Sequence, residues 1–113
     1  MQELLALLAP KFPSEWVVAS YDGWKLELSS GMSVEYAVPA VVFSGVSYLS
    51  CPFEFSWPVF RESTPQEREQ LQAVVPLDAQ DVVVVLQAET MAGPQRQSFF
   101  IVAQQAVLAT PRV

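Results

Sequence analysis

Two tracts of β-prone residues, Trp16-Val17-Val18-Ala19-Ser20-Tyr21 and Trp24-Lys25-Leu26-Glu27-Leu28, are separated by the dipeptide Asp22-Gly23. Asp-Gly accepts the positive φ angles of a type I′ turn, so this stretch predicts a β-hairpin. In the second arm Trp24, Leu26 and Leu28 fall on one face, with Lys25 and Glu27 on the other. One side belongs to a core and the other to water.

The punctuation that follows extends the sheet. Ser29-Ser30-Gly31 predicts a second turn, after which Val34, Tyr36 and Val38 alternate with Ser33, Glu35 and Ala37 until Pro39 interrupts, completing a three-stranded meander. Val41 to Leu49 reads as a longer strand in which Gly45 marks a bulge or a close backbone approach. From Cys51 to Phe60 aromatic and polar residues alternate between Pro52 and Pro58, which predicts an edge strand or an extended arm. Thr64-Pro65-Gln66-Glu67 then sets out a hydroxyl N-cap, a proline at the first helical position and a capping glutamate. The helix it starts runs over about 64–75, with Leu71, Val74 and Val75 as its apolar face and Pro76 as its stop. Val82 to Leu86 is apolar without interruption, as a central strand covered on both faces is. Gly93-Pro94 turns the chain, and Ser98 to Ala103 forms a last strand that extends toward Leu108 past a bulge at Gln104-Gln105. At the start, Leu4, Leu5, Leu7 and Leu8 predict a short helix, ended by Pro10, that must dock on the sheet because two turns do not persist alone.

With 113 residues the chain has the length of one domain, 1–113. Its 51% hydrophobic and 16% charged residues exclude intrinsic disorder, charged residues usually making up about 25%, and it has no apolar run long enough for a spanning helix. The N-terminus is acidic where an export signal is basic, and its apolar stretch is too short for one. A single cysteine, Cys51, leaves no internal disulfide and fits a reducing cytoplasm. Twelve acidic against six basic residues give a net charge of −6. That sign argues against nucleic acid and against an anionic membrane, and the six cations are scattered rather than gathered in a stripe.

Histidine is absent, which removes the commonest general base, nucleophile activator and metal ligand. Cys51 reads as a small hydrophobe before Pro52 rather than a nucleophile. Glu27 and Glu35 fall on the wet faces of neighbouring strands, where a carboxylate pair can share a proton or hold a hard cation, but no acidic loop of the calcium type accompanies them, and solvated surface explains them. Glu67 is explained by the capping box, and four scattered glycines build no phosphate loop. No catalytic residue, metal site or cofactor follows from these patterns.

The unusual feature is the density of aromatics between positions 48 and 60: Tyr48, Phe53, Phe55, Trp57 and Phe60, with Arg61 just beyond as a polar rim or a solvated turn. Aromatic side chains dominate both cores and interfaces, and pattern alone does not separate the two. The order of elements is similar to that of the small acidic dimeric chaperones of bacterial secretion systems, without their final helix, and this similarity carries no residue assignment.

The fold class expected is α+β: a curved antiparallel sheet of five to seven strands, with the short N-terminal helix and the helix near 64–75 packed on it. So apolar a chain of this size is expected to leave apolar area outside its own core. The function expected is a non-catalytic protein-interaction module of immunity, chaperone or adaptor type, forming a homodimer or binding a protein partner through Tyr48, Phe53, Phe55, Trp57, Phe60 and Arg61. The alternative is a small-molecule binding domain or a carboxylate-dependent enzyme with an aromatic pocket around 48–60.

Overall fold

The computed structural model describes residues 4–5, 15–31, 38–90 and 93–108. In chain order these form β1 (Glu15–Tyr21), β2 (Lys25–Ser30), β3 (Val38–Ser44), β4 (Tyr48–Leu49), β5 (Glu54–Glu62), helix α1 (Pro65–Gln72), β6 (Val82–Thr90), β7 (Gly93–Ala103) and β8 (Gln105–Leu108). The strands make one antiparallel sheet in the order β4-β7-β6-β5-β1-β2-β3-β8. The architecture is thus mostly β, with eight strands where five to seven are expected. The difference lies in two kinks. β4 continues β3 across Gly45, and β8 continues β7 across Gln104, so two long bent strands are each divided. These bent strands pair with each other, Ser44 with Gln105 and Tyr48 with Val102. Both ends of the sheet order therefore meet on one kinked pair, and the sheet curls back on itself without closing into a barrel.

The hairpin forms where Asp22-Gly23 places it, with Tyr21 opposite Leu26. Its two central residues are Gly23 and Trp24 rather than Asp22 and Gly23, because the Asp22 N–H donates to the Lys25 carbonyl at 3.2 Å; only Gly23 (φ 91°) is left-handed, so the turn is not type I′. The Asp22 carboxylate accepts the N–H groups of Trp24 (2.9 Å) and Lys25 (2.7 Å), an Asx arrangement that braces the turn. Trp24 lies in this turn and is exposed, whereas Leu26 and Leu28 enter the core as expected. Strand β3 runs from Val38 through Pro39 to Ser44, so the proline does not interrupt it; positions 34–37 of the expected strand lie outside the described residues. Gly93 is already part of β7, opposite Thr90.

Segment 51–60 is the main correction. It is neither an edge strand nor an arm, because β5 lies between β1 and β6 in the middle of the sheet. Pro58 is accommodated there by a bulge, at which the register with β6 shifts between Ser56 and Val59. Arg61 and Glu62 end this strand, opposite Val85 and Val84, instead of forming a turn.

Two apolar layers result. The inner face of the curl is filled by Trp16, Leu26, Leu28, Phe43, Phe55, Phe60, Val84, Leu86 and Ile101, with Leu5 buried among them and Leu4 packed alongside. Leu4 and Leu5 are helical, as the leucine pattern predicts; the rest of that segment lies outside the described residues. On the outer face α1 sets Leu71 over Val83 and Val102, with Tyr48 and Phe100 at its margin. Val83 to Leu86 are consequently all buried, as their unbroken apolar run predicts. Val74, expected on the apolar face of the helix, lies beyond its end and is exposed. The helix starts at Thr64 with both capping-box hydrogen bonds in place, Glu67 N–H to Thr64 Oγ1 (3.1 Å) and Thr64 N–H to Glu67 Oε1 (2.9 Å). No helix among the described residues is long and apolar enough to cross a membrane.

Candidate functional site: the bulge at Trp57

Phe55 and Phe60 are five positions apart, an odd spacing that in a regular strand sends two side chains to opposite faces. Both nevertheless point inward. Phe55 stacks on Trp16 at 6.1 Å between ring centroids, and Phe60 packs against the same indole, tilted, at 5.2 Å. The bulge makes this possible by inserting one extra residue, which restores the inward parity after Pro58. Phe55 and Phe60 are therefore core residues and are withdrawn from the candidate surface.

The extra residue is Trp57. Its φ is 54°, and among the described residues it is the only non-glycine in the left-handed region. For a bulky L-residue this conformation costs about 1–2 kcal/mol, and the following proline favours extended backbone at the residue before it instead. The side chain is not taken into the core in return, being 61% exposed. The backbone is held from outside: Arg96, on β7, donates from one guanidinium nitrogen to the carbonyls of Trp57 and Gln87, each at 2.7 Å. Pro58 has no N–H to give the ladder at this point, and Arg96 supplies a donor there. Val59, next on the strand, is 45% exposed.

Ser56 defines the neighbourhood on the outer face. It pairs with Glu15 on β1 and with Glu89 on β6, so two carboxylates flank the strand at the residue before Trp57. Ser56 Oγ donates to Glu15 Oε2 at 2.9 Å. Among the described residues neither carboxylate has a cation within ion-pair distance.

The other expected site residues are dispersed. Tyr48 is half-buried in the layer beneath α1. Phe53 is 82% exposed at the start of the segment, where its carbonyl accepts the Val18 N–H at 2.8 Å. Arg61 does not rim a pocket, because both of its terminal nitrogens donate to the Glu67 carboxylate, at 2.6 and 2.9 Å, and latch α1 to β5. That guanidinium, with the Thr64 backbone N–H next, holds the Glu67 carboxyl at about 2, well under its ordinary value. Cys51 packs against the core, and burial pushes its thiol up to about 12, the opposite of what a nucleophile needs. Glu27 is half-buried on β2, and Glu35 lies outside the described residues. No group of three or more carboxylates and cysteines among the described residues is placed to hold a metal ion.

Two cavities open elsewhere. One of about 580 Å³ is lined by Asp78, Ala79, Gln80, Asp81 and Gln104. A second of about 300 Å³ lies between the start of α1 and Asp81 to Val83. None of the aromatics of 48–60 lines either one. Arg68 faces this region, with its guanidinium closing the turn before β6 through the carbonyls of Asp78 (2.6 Å) and Asp81 (2.8 Å).

Val59, Glu15, Glu89 and Arg96 were not singled out by the sequence patterns. The signal that leads to them is the odd spacing of Phe55 and Phe60 around a proline, which requires an inserted residue between them. Comparison of the chain with protein-family models, curated proteins and solved structures gives no match.

Proposed function

We propose that this chain is a non-catalytic protein-interaction module, and that the bulge carrying Trp57 and Val59 is its contact surface. The observation that carries this reading is a large aromatic side chain left in water on a backbone conformation that costs energy to hold, braced by an arginine from a strand two places away in the sheet. Strain of that kind persists where something other than stability selects it. Tryptophan is also the side chain that most often supplies the binding energy of a protein contact. An immunity, chaperone or adaptor role fits such a surface, toward a protein partner or a second copy. The ligand-pocket reading of 48–60 has less support, since the described cavities are lined by other, largely polar residues.

The test uses Trp57→Gly, because glycine adopts φ near 54° without strain and the side chain it removes is not in the core. Peptides are selected from a random display library on the wild-type chain and measured on both proteins. The variant is expected to keep the wild-type circular dichroism and to lose roughly tenfold or more in affinity. Selected peptides that bind both proteins equally, or a variant that fails to fold, would overturn the assignment of this surface.

A further inference from the structure

We infer that the open side of β8 receives an extended segment of a basic protein partner, which adds a strand to the sheet and brings an arginine or lysine to the cavity beside it. The inference goes beyond the Trp57 surface and does not depend on it. Among the described residues β8 pairs with β3 alone, as the last strand of the sheet. Its other side is open because the ladder with β6 stops short of it. Val82 is opposite Ala103, and the residues before Val82 turn away at Asp78 to Asp81, where the Asp81 N–H donates to the Asp78 carbonyl at 3.0 Å. The cavity of about 580 Å³ lies in this gap, since it is lined by that turn and by Gln104, the residue before β8.

A strand edge with unpaired N–H and C=O groups takes up an extended chain through main-chain hydrogen bonds, and side chains then set the preference. β8 holds no charged residue and no proline to resist this, and Val107 and Leu108 are 47% and 37% exposed. They are successive, so they project to opposite faces and an added strand flanks both. The cavity supplies the charge preference. Asp78 and Asp81 line it and no cation does; Arg68, which holds their carbonyls, lines the smaller cavity instead. The Asp81 carboxylate accepts the Asp78 N–H at 2.9 Å, while the Asp78 carboxylate has no partner among the described residues. A second copy would bring the same net charge of −6 to this edge, whereas a basic segment is steered toward it.

The experiment titrates three synthetic peptides into the full chain, followed at the backbone amides by NMR. They are acetyl-Arg-Val-Thr-Val-Thr-Val-Arg-amide, the same peptide with citrulline for arginine, and the arginine peptide N-methylated at every valine and threonine. The arginine peptide is expected to shift the amides of Gln105 to Leu108 and to slow their exchange with solvent. The citrulline peptide should bind roughly two- to fivefold more weakly, and the N-methylated peptide, which has lost the N–H donors of a strand, should leave β8 unchanged. Asp78→Asn should remove the advantage of arginine over citrulline, while Glu69→Gln, on α1, should keep it. A β8 response to the N-methylated peptide, or none to the arginine peptide, overturns strand addition. Equal binding of the arginine and citrulline peptides, or an advantage indifferent to Asp78→Asn, overturns the basic partner. A dimer in sedimentation that the arginine peptide dissociates would give the edge to a second copy and overturn the inference likewise. The Trp57 surface stands or falls separately, on library-selected peptides and Trp57→Gly.

Discussion

The sheet is bent at two left-handed residues, and they are built in opposite ways. At Gly45 (φ 69°) the position holds a glycine, and an added Cβ would come within 2.6 Å of the Gln104 side chain. There the chain has removed both the strain and the steric conflict, and the bend joins β3 to β4 at no side-chain cost. At Trp57 (φ 54°) the position holds one of the largest side chains and leaves it in solvent. If both bends served only to curl the sheet, both would favour glycine. The contrast separates two roles at position 57: the backbone is needed as a spacer that keeps Phe55 and Phe60 on one face, and the indole is surplus to that task.

Deleting residue 57 should have the largest effect, because it removes the spacer. Every side chain downstream on β5 would turn over, with Phe60 facing water and Arg61 facing the core. Loss of cooperative unfolding is expected, since the Phe60 contribution alone is about 3–5 kcal/mol and a buried unpaired guanidinium adds to the cost. Urea denaturation followed by near-ultraviolet circular dichroism checks this. A deletion variant as stable as the wild type would show that the bulge does not set the register.

Gly45→Ala comes next, at about 1–2 kcal/mol of destabilisation from the left-handed backbone. The Gln104 side chain is exposed and can swing aside, so Gln104→Ala should recover only a small part of the loss. A neutral Gly45→Ala in the same denaturation assay would erase the contrast between the two bends.

The smallest effect concerns the outer face beyond the bulge, where the register places Arg61 under Glu67. The folded Glu67 carboxyl titrates at about 2, below its ordinary 4.5. A depressed value means that the carboxylate adds stability above pH 4.5 and that this increment fades as pH falls toward 2. The gap in urea midpoint between wild type and Glu67→Gln should therefore narrow over that window, and it should be small because the pair is partly exposed. Trp57→Gly, which keeps the register, should retain the full pH dependence. If it does not, the side chain of Trp57 contributes to the register after all.

Features decided within a few residues were legible from the chain itself: the hairpin at Asp22-Gly23, the capping box from Thr64 to Glu67, the doubly covered run from Val82 to Leu86, and the kinks at Gly45 and Gln104. Each announces itself through a turn, a cap, a glycine or a local hydropathy pattern, even where the partner that uses it, such as Gln104 against Gly45, lies far along the chain. The fate of the aromatics from 48 to 60 was not legible, because it depends on register, which is settled by ladders with β1 and β6 far away in the chain. Pro58 read as a mark of an edge, since nothing local reveals that a bulge and the guanidinium of Arg96 allow proline in a central strand. The alternation of side chains thus determined that some of these aromatics face inward and others outward. Only the long-range pairing decided that Phe55 and Phe60 go in and Trp57 stays out, because one inserted residue reverses the parity of everything after it.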